Sequence, residues 1–125
     1  MTRPAILIIE DDPDITDVLT GMLTMNGYQV TAITEASDIV QMVSKLKPDL
    51  IITDYILQGI NGGEYCSAIK RDTQTSHIPV IILSGYGKLL DSLGTYGADK
   101  ILDKPFDMDE LYATVAGLLA VSQNR

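Results

Sequence analysis

Ala5-Ile6-Leu7-Ile8-Ile9-Glu10-Asp11-Asp12-Pro13 runs from apolar residues straight into three acids and a proline. The apolar positions are continuous rather than alternating, as in a strand covered on both faces. Asp12 then supplies a helix N-cap, and Pro13 fits the first helical position, where a missing N–H costs nothing. Ile15, Val18, Leu19, Met22 and Leu23 follow at i, i+3, i+4, i+7 and i+8 and predict one apolar helix face. Asn26-Gly27 closes that helix. A doubly covered strand feeding directly into a helix is the opening of a parallel βα arrangement.

The rest of the chain repeats the alternation. Residues 28–33 read as a second strand, less apolar and therefore at an edge. A helix is predicted over 36–46 with Ile39, Val40, Val43 and Leu46 inward, broken by Lys47-Pro48-Asp49. Leu50-Ile51-Ile52-Thr53 is the third strand, and a loop with Gly59, Gly62 and Gly63 leads into a helix carrying Tyr65, Cys66 and Ile69. Val80-Ile81-Ile82-Leu83, entered through Ile78-Pro79, is the fourth. A short fourth helix is predicted over 88–93, crowded by Gly85, Gly87, Gly94 and Gly97, and each interior glycine costs roughly 1 kcal/mol against alanine. Residues 100–102 form a short fifth strand. Asp107-Met108-Asp109-Glu110 has capping-box spacing before a stripe of Leu111, Val115, Leu118 and Leu119. The expected fold is α/β: a flavodoxin-like, doubly wound five-stranded parallel sheet of order 2-1-3-4-5 with five helices. In such sheets ligands bind outside the carboxyl ends of the strands, at the switch point between strands one and three.

Composition bounds the function. A length of 125 residues suits a single domain over 1–125, with no output domain expected after the last helix. The chain is 46% hydrophobic and 21% charged, which is ordinary for a folded protein. Cys66 is the one cysteine, so no intrachain disulfide forms. With 17 acidic against 9 basic residues, the net charge of −8 repels phosphate backbones and argues against direct nucleic-acid binding. No apolar run approaches the ~18 residues of a membrane span, and residues 5–9 are too short for a signal-peptide core. A cytoplasmic protein is expected. Part of the acidity is concentrated in Glu10-Asp11-Asp12, whose mutual repulsion a divalent cation would relieve.

The strand ends hold the chemistry. Glu10-Asp11-Asp12 follows strand one, Asp54 strand three, Ser84 strand four and Lys104-Pro105 strand five. In a parallel sheet all of these lie on one edge. Mg²⁺ takes one or two carboxylates plus water and phosphate oxygens; Asp11 and Asp54 would supply the carboxylates, with Glu10 orienting a bound water. Asp12 reads as a helix cap, Cys66 and the methionines as core, and His77 as a residue of a polar loop with no metal or phosphotransfer role.

Residues 6–12, 48–54, 83–85 and 104–106, reading ILIIEDD, PDLIITD, LSG and KPF, resemble the four signature blocks of response-regulator receiver domains, in the right order and over nearly the whole chain. The resemblance implies a phosphoacceptor signalling module rather than an enzyme. Asp54 would attack a phosphohistidine of a sensor histidine kinase or histidine phosphotransfer protein and form an acyl phosphate. Mg²⁺ would be held by Asp11, Asp54 and the backbone carbonyl of Ile56, and by Glu10 through water. Lys104 would pair with the incoming phosphoryl group, Ser84 would turn its hydroxyl onto it, and Gly85 would leave the pocket open. The Lys104–Pro105 bond is expected to be cis. A downstream target or output domain would use the face of the fourth helix, fifth strand and last helix, through which a homodimer also forms in many members.

Three features depart from the family pattern. Ile101 stands where members commonly carry an aromatic that rotates inward on phosphorylation, a role for which Tyr86 and Tyr96 are the available substitutes. The segment from Ser84 to Lys104 is shorter than usual and glycine-rich, which predicts a short fourth helix and an atypical output face. Ile56 and Tyr86 flank the phosphoryl position and would hinder hydrolytic water, giving a long-lived acyl phosphate. Two rival functions follow. A haloacid-dehalogenase-like phosphatase would need an Asp-x-Asp after strand one and a cap domain; neither fits. A receiver-like interaction module working without phosphorylation conflicts with the set Glu10, Asp11, Asp54, Ser84 and Lys104, although Ile101 speaks for it.

Overall fold

Five parallel strands and four helices make up the described residues, 3–55, 62–85 and 96–123, of the computed structural model. In chain order they are β1 (Ala5–Ile9), α1 (Pro13–Met25), β2 (Gln29–Ile33), α2 (Ile39–Leu46), β3 (Leu50–Asp54), α3 (Gly62–Arg71), β4 (Val80–Ser84), β5 (Lys100–Asp103) and α4 (Met108–Gln123). The sheet order is β2-β1-β3-β4-β5, as expected, and every pairing is parallel. The helix predicted over 88–93 lies outside the described residues.

The continuous apolar runs are explained by a core on each side of the sheet. Ile6, Ile8, Leu50, Ile52, Ile81 and Leu83 face Leu19 and Leu23 of α1 and Leu111, Val115 and Leu119 of α4. The alternate residues Leu7, Ile9, Ile51, Val80 and Ile82 face Ile39 and Val43 of α2 and Tyr65, Cys66 and Ile69 of α3. Burial of each such side chain contributes about 1.5–3 kcal/mol. β3 and β4 are buried along their whole length, whereas β2, at the edge, is half exposed.

Local chemistry sets the helix ends. Asp12 is extended at φ −90°, ψ 116° and accepts from the Asp14 and Ile15 amides at 2.9 and 3.4 Å. At the other end Asn26 caps α1, and Gly27 turns away at φ 91°. Lys47, left-handed at φ 51°, ends α2 before Pro48. The Glu110 amide donates to Asp107 Oδ1 at 2.6 Å at the start of α4.

Three expectations are corrected. α2 starts at Ile39, not at 36, because Asp38 caps it through the Gln41 amide at 3.1 Å. The Ala36 backbone is instead engaged by the Tyr65 hydroxyl, which accepts from its N–H at 3.0 Å and donates to its carbonyl at 3.3 Å. Leu46 and Val18 do not face inward but are 39% and 60% exposed; Leu46 ends its helix, and Val18 borders a surface depression with Pro105 and Phe106. Gly62 and Gly63 belong to α3 rather than to the preceding loop. A Cβ on Gly62 would run into the Asp54 carbonyl oxygen, so glycine lets the helix begin against the end of β3. Among the described residues no helix is long and apolar enough to cross a membrane.

Candidate functional site

The carboxyl ends of the three central strands deliver the site. β1 ends next to Glu10, which is 2% exposed, and β3 ends in Asp54, which is 7% exposed. β4 ends in Ser84, buried on the far side of β3 from β1. The backbone around Asp54 is tightly held: Tyr55 N–H donates to the Leu83 carbonyl at 2.9 Å, and the Tyr55 carbonyl accepts from Gly62 N–H at 2.7 Å.

Lys104 completes the group. Its amide donates to the Ser84 carbonyl at 2.8 Å, its bond to Pro105 is cis as the resemblance implied, and its Nζ lies 2.5 Å from Asp54 Oδ1. The lysine side chain is 30% exposed, so one end of the pair is hydrated while the carboxylate is enclosed. Open space lies beside Gly85, where an added Cβ would meet nothing within 4 Å.

Glu10 has one carboxyl oxygen that is buried and unused. Its Oε1 accepts from the Asp12 amide at 3.1 Å, while Oε2 is buried with no hydrogen-bond partner. Burial pushes its carboxyl up to about 7; the Asp12 amide opposes the rise, the charge of Asp54 adds to it, Lys104 opposes it, and contact with the Asp11 carboxyl adds again. A buried acceptor with an unused oxygen beside two further carboxylates is a donor set suited to a hard cation or a water bound to one. Among the described residues no three carboxylate, imidazole or thiol groups form a ready-made cage; the carboxylates an ion would use are those of Asp11 and Asp54, with Glu10 behind them. Asp11 borders a shallow depression with Glu10, Thr16 and Asp17.

Glu10, Asp54 and Lys104 are thus brought together with Asp11 alongside, and Ser84 reaches the same edge from the next strand. Ile56 and Tyr86 lie outside the described residues, and with them the expected carbonyl ligand and the expected shield against water. Asp12 caps α1 and also holds Glu10. His77 is exposed, in the turn before β4 and remote from the site. Cys66 is fully buried, and burial pushes its thiol up to about 11. The two tyrosines beside the site are a further feature: Tyr55 and Tyr96 have ring centroids 6.2 Å apart, and hydrogen bonding with Tyr96 holds the Tyr55 phenol above its ordinary value. The signal for it was the aromatic directly after Asp54.

Comparison with known proteins agrees with this geometry. The profile of the response regulator receiver domain matches residues 6–116. A DNA-binding master transcriptional regulator of Synechocystis, RpaA, is 39% identical over 118 residues, covering 93% of this chain and 49% of that protein. PilH of Pseudomonas aeruginosa is 34% identical over 117 residues, covering 92% and 97%. The chain thus spans about half the length of the first relative and nearly all of the second. The crystal structure of the Thermotoga maritima response regulator TrrA, in complex with Mg²⁺ and a beryllium fluoride, superposes with a TM-score of 0.82 at 27% identity, covering 92% of this chain and 98% of that one. Matched over almost its whole described length, the chain belongs to the response-regulator receiver domains, the phosphoacceptor signalling modules of two-component systems.

Proposed function

We propose that Asp54 is the phosphoacceptor, taking its phosphoryl group from a phosphohistidine on a sensor histidine kinase or histidine phosphotransfer protein, and that residues 1–125 work as one receiver unit. An Asp54 carboxylate oxygen attacks phosphorus, and the bond from phosphorus to the donor imidazole nitrogen breaks. The imidazole leaves with that electron pair, and Asp54 becomes an acyl phosphate. The observation that carries the reading is the 2.5 Å pair between Lys104 and a carboxylate only 7% exposed, at the end of a fully buried strand.

Lys104, paired with Asp54 and 30% exposed, is placed to meet the incoming phosphoryl oxygens. Ser84 offers a hydroxyl from the neighbouring strand. Asp11, Asp54 and the Ile56 carbonyl would hold Mg²⁺, with Glu10 acting through water; the unused Glu10 oxygen supports this, as does the Mg²⁺ complex of the Thermotoga relative. When bound, the ion neutralises charge developing on the phosphoryl oxygens. The output is a changed surface around β5 and α4, offered to a downstream protein, an output domain or a second copy of the chain.

Intact mass after incubation with Mg²⁺ and acetyl phosphate tests the reading. One phosphoryl adduct is expected on the wild type, absent from Asp54→Ala and lost on chelation of the metal. A wild type that stays unmodified with Mg²⁺ present, or an Asp54→Ala variant that is modified equally, overturns it.

A further inference from the structure

Tyr96 stands in a conformation that needs explaining. It has φ 57° and is followed by Gly97 at φ 83°; a bulky residue in the left-handed region costs on the order of 1–3 kcal/mol and persists only where its surroundings impose it. Those surroundings lie at the end of β3. The Tyr96 ring covers Gly63, where an added Cβ would come within 2.6 Å of it. It also meets the ring of Tyr55 at 6.2 Å and an interplanar angle of 41°. Both contacts adjoin Asp54: Tyr55 is the next residue, and Gly62 abuts the Asp54 carbonyl.

The other side of Tyr96 leads to the sheet edge. A Cβ on Gly97 would lie 3.3 Å from the side-chain stem of Lys70. Lys70 Nζ pairs with Asp99 Oδ2 at 2.7 Å, and that oxygen accepts from the Val80 amide at 2.8 Å. Asp99 immediately precedes β5. Ile101 of that strand packs in the same core layer as Tyr55 and Tyr96.

We propose that Tyr96 is a positioning residue that transmits the loading of Asp54 to the β5 edge, its ring moving with Tyr55 over the bare surface of Gly63. This rests on the reading of Asp54 as phosphoacceptor. A phosphoryl group adds bulk and charge at the end of β3 and draws Lys104 toward itself. Tyr55 follows Asp54, the Tyr96 ring follows Tyr55, and the left-handed pair Tyr96-Gly97 passes the shift to Asp99.

Amide NMR spectra of the full chain with Mg²⁺ and beryllofluoride test it. The wild type is expected to shift at Asp54 and Ser84 and also at Asp99, Lys100 and Ile101. Tyr96→Leu should keep the first set and lose the second, and Tyr96→Phe, which retains the ring, should keep both. Gly63→Ala displaces the ring without altering Tyr96 and should also lose the second set, which decides the matter if Tyr96→Leu fails to fold. Edge shifts of wild-type size in Tyr96→Leu or Gly63→Ala overturn the proposal. Wild-type shifts confined to Asp54 and Ser84 overturn it too while leaving the phosphoacceptor reading intact. No shift at Asp54 or Ser84 overturns both.

Discussion

Glu10 is a carboxyl 2% exposed with one oxygen unpaired, and its charged form is costly wherever no cation is present. Burial first, then the balance among Asp12, Asp54, Lys104 and Asp11, carries it from 4.5 to about 7. Between those values the folded chain keeps a proton that the unfolded chain has released, so metal-free stability falls as pH rises through that window. The loss is of the order of 3 kcal/mol at full ionisation. Urea unfolding across the window should show the slope in the wild type and a flat profile in Glu10→Gln; equal profiles would contradict it. Added Mg²⁺ should stabilise more as pH rises, because its ligands bind it deprotonated. Glu10, Asp11, Asp54, Ser84 and Lys104 were singled out in the sequence because each stands at or just past the end of a predicted strand. The pairing of Lys104 with Asp54 and the unused Glu10 oxygen were not, since both depend on how separate loops converge.

Among the helices, glycine positions separate close approach from simple flexibility. Gly62 opens α3 against the Asp54 carbonyl, whereas Gly21 in α1 and Gly117 in α4 would gain a Cβ in open space. Gly62→Ala is therefore expected to lose about 1–3 kcal/mol through overpacking, and Gly21→Ala and Gly117→Ala to gain up to about 1 kcal/mol from helix propensity. Denaturant midpoints measure all three, and a neutral Gly62→Ala would show that the close contact does not constrain the helix. Caps at Asp12 and Asp107 were readable from local sequence because their partners lie within three residues. The start of α2 was not, because Tyr65, 29 residues on, takes up the Ala36 backbone. The apolar period of α1 placed Leu19, Met22 and Leu23 correctly but included Val18, which lies on the flank where the helix meets Pro105 and Phe106 rather than the sheet.

Across the whole molecule, parallel pairing in the order β2-β1-β3-β4-β5 puts every carboxyl end on one edge. The three inner strands β1, β3 and β4 are the most deeply buried, and they carry Glu10, Asp54 and Ser84. These three side chains are thereby fixed by the buried core, while Lys104 reaches Asp54 from the exposed end of β5. That architecture was legible because doubly buried parallel strands cannot alternate in polarity, and the apolar runs do not. The link from Asp54 through Tyr55 to Tyr96 was only partly legible: Tyr96 stood out as an available aromatic, but its seat on Gly63 depends on a turn geometry that no periodicity encodes. On the proposed reading, the phosphoryl group sits on Asp54 as an acyl phosphate. Borohydride reduction of the protein loaded with Mg²⁺ and acetyl phosphate, followed by peptide sequencing by mass spectrometry, tests this directly. Homoserine at position 54 and at no other acidic residue is the predicted result; homoserine at Asp11 or Asp12 instead, or an adduct that resists reduction, would contradict it.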